Sequence, residues 1–291
     1  MIGRNENYMS IITFVNDLDE TTGKSLAVAA ISTSMAVNYN MKILVVSTTH
    51  RDDKLAHCFY DSENTQRTRI GLFGMTRNSI DTEQGIEGLA KIARSNKVSP
   101  NVITDYTKVI LKDRLEVLAG KKFDPNNPDV PKIDSEYIEI VSEAASYYDN
   151  VMVDLDRDIS EETRKRILEI SNVIVVVSSQ NKLSLAKIRD EKQTNELFQS
   201  PKTLILIGRF DKFSKYSKKD IRRFLGEKND VLTVPYNTRF MEASNEAGVV
   251  DYFLNYRMLK DTEDTNYLFI QEVKNASENI AYRLKELQAM R

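Results

Sequence analysis

Residues 10–36, which run SIITFVNDLDETTGKSLAVAAISTSMA, constrain the fold more than any other stretch of this chain. The run Ile11–Val15 is apolar or β-branched and predicts a buried strand. A polar loop follows, and Gly23-Lys24-Ser25 then opens an alanine-rich segment with the composition of a helix. A buried strand that leads through a short loop into a helix predicts a parallel sheet covered by helices.

The Gly-Lys-Ser triplet at the start of this helix predicts a phosphate site. The N–H groups and the dipole of a helix start favour an anion. In the motif G-x-x-x-x-G-K-[ST] the lysine contacts the β- and γ-phosphates and the hydroxyl binds Mg²⁺. We therefore predict a nucleotide site formed by Thr22, Gly23, Lys24, Ser25 and Leu26, with Ser25 as a metal ligand.

The match to this motif is incomplete. Leu18 stands where the motif has its first glycine. The loop also places three negative charges beside the proposed polyanion, on Asp17, Asp19 and Glu20. The alternative is a plain strand–helix turn, capped by Thr22 and Gly23, with Lys24 in solvent.

Composition and charge narrow the class of protein. The chain has 291 residues, of which 41% are hydrophobic and 29% charged, and its net charge of −2 gives no bulk attraction to nucleic acid or anionic membrane. Its single cysteine, Cys58, excludes an internal disulfide framework and fits a reducing cytosol. The longest apolar runs, such as Val173–Val177, are far shorter than the ~20 residues of a membrane helix. We expect a cytoplasmic protein without a signal peptide.

Further apolar runs predict an α/β fold. The predicted strands are Met41–Val46, Leu115–Leu118, Val151–Leu155, Asn172–Val177, Leu204–Ile207 and Val231–Val234. The predicted helices include Gly85–Ser95, Ser135–Tyr147 and an amphipathic C-terminal helix at about 266–289, and Lys121–Lys132 is a proline-rich surface loop. Strands that alternate with helices predict a doubly wound, mostly parallel sheet with helices on both faces, in a single domain over 1–291. We expect the C-terminal helix to pack on the sheet; the alternative is a membrane-surface or partner helix.

Asp154 ends the strand VMVDL and is a second candidate metal ligand. An acidic residue at this place in P-loop proteins holds Mg²⁺, directly or through water. The alternative is an aspartate of the turn or cap that precedes the helix starting after Ser160.

Several segments match one family in order. They are TTGKS, LEVLAG, YYDNVMVDLDRDISEET, NVIVVVSSQNKLSLAKIRD, LILIGRFDKFSKYSKKDIRRFLG and VPYNTRFMEASNEAG, and they cover most of residues 10–255. The chain resembles the MinD/ParA superfamily of P-loop ATPases, and within it the TadZ/CpaE-type proteins of pilus assembly loci. The resemblance implies ATP and Mg²⁺ as cofactors, a homodimer, and a role in positioning or assembling a pilus or secretion apparatus. It also implies a cytoplasmic location, at a cell pole or peripheral to the inner face of the membrane.

The resemblance assigns site residues. Gly23, Lys24 and Ser25 correspond to the phosphate loop (Walker A), and Asp154 to the Walker B acid. Arg209 corresponds to a residue near the adenine, and Pro235 and Tyr236 to a loop that borders the base.

Other family positions are altered. The loop lysine that crosses a dimer to the partner's nucleotide falls on Asp19. The acids after the second strand, one of which aids hydrolysis, fall on Ser47 and Thr49, and the adenine-reading asparagine falls on Gly208. We therefore predict a nucleotide binder with weak or absent ATPase activity and name no catalytic residue, leaving open whether Asp52 or Asp53 replaces the missing acid.

Two alternatives remain. The altered positions also fit a scaffold of the same fold with a vestigial pocket. The stretch Arg209–Arg223, rich in basic residues with interleaved Phe210, Phe213 and Tyr216, would suit a DNA-partitioning protein.

Overall fold

The computed structural model describes residues 9–16, 22–50, 53–60, 85–95, 97–120 and 133–290. The sequence predictions for Leu18, Asp19, Asp52 and the loop Lys121–Lys132 fall outside these residues.

The described residues include eight strands, which form one sheet. They are β1 Ser10–Val15, β2 Ile43–Ser47, β3 Lys108–Leu111, β4 Leu115–Leu118, β5 Asn150–Asp154, β6 Val173–Ser178, β7 Thr203–Phe210 and β8 Leu232–Pro235. Their order across the sheet is β3-β4-β2-β5-β1-β6-β7-β8. All neighbouring pairs are parallel except β3 and β4, which are antiparallel.

Helices cover both faces of the sheet. They are α1 Lys24–Asn38, α2 Lys54–His57, α3 Ile86–Ala93, α4 Pro100–Tyr106, α5 Glu136–Ala144, α6 Glu161–Ile170, α7 Lys182–Thr194, α8 Glu196–Gln199, α9 Lys218–Leu225, α10 Thr238–Asn245, α11 Val249–Tyr256 and α12 Thr265–Ala289. Helices α1, α2, α10, α11 and α12 contribute to one apolar core, and α3 to α9 to the other. This arrangement confirms the predicted doubly wound α/β fold.

The central strand β1 shows why the chain forms this sheet. Ile12 and Phe14 face one core, whereas Ile11 and Val15 face the other. A strand that is covered on both faces is apolar at nearly every position, which is the pattern of its sequence. Thr13 is a buried polar residue within the strand, and its hydroxyl forms a hydrogen bond with the Ser171 hydroxyl at 2.7 Å.

The antiparallel strand β3 and helix α4 were missing from the sequence prediction. The hairpin of β3 and β4 turns at residues 112–114, where Asp113 has φ +59°. The four residues of β3 form an edge strand in which none is fully buried and Val109 is exposed. The strand therefore lacks the alternation of apolar and polar residues by which a half-buried strand is recognised in a sequence.

Helix α12 packs on the sheet, as expected. Its apolar stripe includes Phe269, Val273 and Ile280, which are buried in the core that α12 shares with β8, α1 and α11. In the described residues, no helix combines the length and the hydropathy that crossing a bilayer requires.

A buried charge network lies at the amino ends of the strands. Glu116 of β4 is 5% exposed and accepts hydrogen bonds from the Tyr148 hydroxyl at 2.6 Å and the Thr107 hydroxyl at 2.7 Å. The ammonium of Lys42 lies 3.2 Å from its other carboxylate oxygen. Because three partners satisfy this carboxylate, its burial beside β2 is tolerated.

Candidate nucleotide site

The start of α1 lies at the carboxyl end of the central strand. Gly23 is the N-cap residue of α1 and has φ +77°, in the left-handed region that favours glycine. Among the described residues no side chain caps this helix. The N–H groups of its first turn have no partner within the helix, and such groups favour an anion.

Thr22 adds a second observation at the same place. Its side chain is 1% exposed, and its Oγ1 has no hydrogen-bond partner among the described residues. A buried hydroxyl in this state costs about 1–3 kcal/mol, and a phosphate oxygen at the helix start would accept its hydrogen. The residues present therefore fit a phosphate group.

Lys24 and Asp154 form a buried ion pair. Lys24 Nζ lies 2.7 Å from Asp154 Oδ1, with the two side chains 9% and 6% exposed. The contact is an ion pair and not a hydrogen bond, because Asp154 Oδ1 has no hydrogen-bond partner among the described residues. Lys24 Nζ donates its hydrogen bond to the main-chain carbonyl of Leu155. The alternative prediction, a plain strand–helix turn with Lys24 in solvent, is wrong on this point because Lys24 is buried.

The sheet register explains this pairing. Strands β1 and β5 are parallel neighbours, with Phe14 opposite Asp154, so their carboxyl ends and the loops that follow lie side by side. Asp154 is no helix cap, because the Ser160 side chain caps α6 by accepting from the Thr163 N–H at 3.2 Å. The two remaining predicted loop residues, Ser25 and Leu26, are half-buried in the first turn of α1.

Thr48 connects the end of β2 to the loop after β5, a role that no sequence motif indicated. Its N–H donates to the Asp154 carbonyl at 3.2 Å, and its Oγ1 accepts from the Asp156 N–H at 2.8 Å. The chain around the candidate metal ligand is therefore fixed by both neighbours of β5.

Asp53 connects two segments of the chain beside this site through hydrogen bonds. It is 7% exposed, its Oδ1 accepts from the Ala56 N–H at 3.0 Å, and its Oδ2 accepts from the Gly120 N–H at 2.7 Å. Burial raises the pKa of Asp53, these hydrogen bonds oppose the rise, and the charge of Asp154 adds to it. Both carboxylate oxygens of Asp53 thus hold neighbouring loops together. This arrangement fits a structural role better than the replacement of the missing catalytic acid, which the sequence left open.

Gly208 and Arg209 form the other side of the site. A Cβ on Gly208 would overlap the main-chain carbonyl of Thr22, so only glycine fits. Arg209 has φ +51° at an irregularity in the β7–β8 pairing. Its side chain lies over Gly23, with Cγ 3.2 Å from the place where a Cβ would stand there.

The residues predicted to border a base, Arg209, Pro235 and Tyr236, line one cleft next to the predicted phosphate loop. Gly23, Leu26 and Arg209 line one wall; Val234, Pro235, Tyr236, Asn237, Phe240 and Met241 line the other. The cavity between them is ≈ 10 Å³, about the space of one water molecule. A base would enter by displacing Arg209, which is exposed, or the opposite wall.

Solved structures from several organisms share this architecture. A ParA family ATPase from Chlorobium tepidum TLS superposes with a TM-score of 0.65 at 15% identity, over 94% of this chain and 99% of that chain. The chain has the MinD/ParA fold. A putative plasmid partition protein from Borrelia burgdorferi B31, bound to AMPPNP, gives 0.60 at 18% identity over 95% and 98%.

A further solved structure has the same fold. The septum site-determining protein MinD from Pyrococcus horikoshii OT3, complexed with Mg-ADP, has a TM-score of 0.62 at 12% identity, over 94% and 97% of the two chains. No family model matches the sequence, and no curated protein matches it. At these identities the likeness is one of fold.

The basic stretch Arg209–Arg223 runs from the end of β7 through a turn into α9. Three of its cations are paired with acids: Lys218 with Glu272 at 3.6 Å, Arg222 with Asp230 at 3.0 Å, and Arg223 with Asp220 at 3.9 Å. Phe213 is exposed in the turn. This pairing weakens the positive field that a DNA surface needs.

Proposed function

We propose that this chain binds ATP with Mg²⁺ at Thr22–Leu26 and Asp154 and acts as a nucleotide switch with weak or absent hydrolysis. The observation that carries the proposal is the buried Lys24–Asp154 pair at the uncapped start of α1. Two solved structures of the same fold, one bound to AMPPNP and one to Mg-ADP, support the proposal.

The ion pair suggests how the site responds to nucleotide. Lys24 would donate to phosphate oxygens in place of the Asp154 carboxylate and the Leu155 carbonyl. Asp154, no longer paired with the lysine, and the Ser25 hydroxyl would hold Mg²⁺, which would supply charge neutralisation at the phosphates. The Thr22 hydroxyl, which has no hydrogen-bond partner among the described residues, would donate to the same anion.

The residues at the carboxyl end of β2 are the reason that we expect weak ATP hydrolysis. Phosphoryl transfer to water needs a group that orients the water. The positions that carry acids in the family are Ser47 and Thr49 here. Asp53 has both carboxylate oxygens engaged by main-chain N–H groups. We therefore expect bound ATP to persist.

The cellular role that we propose comes from the sequence resemblance. As in TadZ/CpaE-type proteins, the ATP-bound chain would dimerise and take part in positioning or assembling a pilus or secretion apparatus. Dimerisation would not use a lysine that crosses to the partner's nucleotide, since Asp19 falls at that position. Molar mass measured by light scattering, with and without Mg-ATP, tests this step.

Calorimetric titration with Mg-ATP and Mg-ADP tests the site itself. We expect micromolar binding by the wild type and at least a hundredfold loss in Lys24→Ala, with little phosphate release. Lys24→Gln is a second variant, because it keeps a donor for the Leu155 carbonyl. The matched control is Lys182→Ala, which changes an exposed lysine that is likewise the first residue of a helix.

Two outcomes would contradict the proposal. Wild-type affinity in both folded Lys24 variants would refute the site. Absence of binding at millimolar nucleotide would favour the scaffold with a vestigial pocket.

A further inference from the structure

Thr48 is a buried residue directly after β2. Ser47, the last residue of that strand, has Asp154 as its register partner in β5. Thr48 itself is 0% exposed, so its hydroxyl finds its hydrogen-bond partners inside the protein. Those partners belong to the segment that carries the candidate metal ligand, so the hydroxyl can affect how that ligand is placed.

Three hydrogen bonds join Thr48 to the segment from Asp154 to Asp156. The Thr48 Oγ1 donates to the Asp154 carbonyl at 3.3 Å and accepts from the Asp156 N–H at 2.8 Å. The Thr48 N–H donates to the same carbonyl at 3.2 Å. Both peptide groups that follow the Cα of Asp154 are therefore held by one residue of the neighbouring strand end.

The same segment is held from its other side by β1 and α1. The Leu155 N–H donates to the Phe14 carbonyl at 3.0 Å. Lys24 Nζ lies 2.7 Å from Asp154 Oδ1 and donates to the Leu155 carbonyl. Under the proposed function both contacts of Lys24 end when the lysine turns to the phosphates. The Thr48 hydrogen bonds do not involve Lys24, so they can remain in the nucleotide-bound state.

We propose that Thr48 is a positioning residue for metal binding, whose hydroxyl keeps Asp154 in place for Mg²⁺ after Lys24 has turned to the nucleotide. An aspartate side chain is short, so its main chain determines where its oxygens can meet a metal ion. Groups that hold a ligand through hydrogen bonds typically change metal affinity about 10- to 100-fold when they are removed. This inference rests on the proposed nucleotide site and concerns its affinity for the metal.

Calorimetric titration of the full chain with ATP, once with Mg²⁺ and once with EDTA, tests the inference. The ratio of the two affinities isolates the contribution of the metal, whereas a general loss of structure would lower both. Thr48→Val keeps the shape of the side chain and removes the hydroxyl. We expect the gain in ATP affinity from Mg²⁺ to be about tenfold smaller in this variant, and the affinity in EDTA to stay within about twofold of the wild type.

Further variants assign the effect to the hydroxyl. Thr48→Ser keeps Oγ and should retain the gain from Mg²⁺ within about threefold, and Thr48→Ala should lose it as Thr48→Val does. The matched control is Thr13→Val, which removes another fully buried hydroxyl, the one that hydrogen-bonds to Ser171 at 2.7 Å. It should leave the gain from Mg²⁺ unchanged. Urea unfolding of each variant identifies those that are folded.

The outcomes separate this inference from the function on which it rests. An unchanged gain from Mg²⁺ in the folded Thr48→Val or Thr48→Ala variant overturns the positioning role and leaves the nucleotide site in place. An equal loss of affinity with and without the metal does the same, and so does a loss in Thr48→Ser as large as in Thr48→Val. Absence of ATP binding by the wild type, or of any gain from Mg²⁺, overturns the proposed site together with this inference.

Discussion

The main-chain carbonyl of Thr22 occupies the space in which a side chain on Gly208 would stand. The residue before the phosphate-loop glycine and the end of β7 are thus in direct contact. This contact sets the distance between the start of α1 and the strand that carries Arg209.

Gly208→Ala should therefore destabilise the protein by about 2–3 kcal/mol, because the new methyl group meets a main-chain atom that cannot rotate away. Urea unfolding followed by circular dichroism measures the change. Gly85→Ser is the control, since nothing lies within 4 Å of a Cβ at Gly85, the N-cap position of α3 that serine suits well. Equal stability of Gly208→Ala and the wild type would contradict the close packing.

The Lys24–Asp154 pair should show strong coupling. Lys24→Met and Asp154→Leu each leave one buried charge without its partner and should cost about 3–5 kcal/mol. The double variant removes both charges and should be more stable than either single variant. Unfolding of all four proteins at low salt measures the coupling; additive losses would show that the two charges act independently.

The Glu116 network should affect stability and leave nucleotide binding unchanged, because it lies at the opposite end of the strands from the start of α1. Glu116→Ala should cost about 3 kcal/mol and Tyr148→Phe about 1–2 kcal/mol. Burial and the Glu116 carboxylate raise the pKa of Tyr148, which keeps the phenol a donor. A change in nucleotide affinity in the folded Tyr148→Phe variant would argue against this separation.

Cys58 should be inert in the folded protein. Burial, followed by the charges of Asp53 and Asp154, raises the pKa of its thiol to about 12, whereas an ordinary thiol titrates near 9.0. Between these values the unfolded chain carries thiolate and the folded chain does not, so this group destabilises folding as the pH rises above 9.0. Alkylation by iodoacetamide at pH 8 should be at least about a hundredfold slower in the native state than in urea. Equal rates would show that the thiol is accessible.

The strands and helices that the sequence predicted best are those in which the positions of the apolar residues match the buried faces. The runs in β1 and β6 are apolar throughout because both faces of these strands are covered, and the spacing in α12 marks one buried stripe. The edge strand β3 has too little buried surface to leave such a pattern.

The site was predictable only in part. Lys24 and Asp154 follow apolar strands, so their place at the carboxyl edge could be inferred from the chain order. Their mutual contact depends on β1 and β5 being neighbours, which a sequence alone does not report. The roles of Thr48 and Gly208 arise from contacts between distant segments and had no local signal.

The position of β8 at the rim of the sheet has a consequence for entry into the cleft. Among the described strands β8 pairs with β7 alone, whereas α1 follows β1, a strand with neighbours on both sides. One wall of the cleft therefore rests in part on an edge strand, whereas the other includes the start of a helix beside the centre of the sheet. We expect the cleft to widen for a ligand by local movement of that edge strand, while the central strands stay joined.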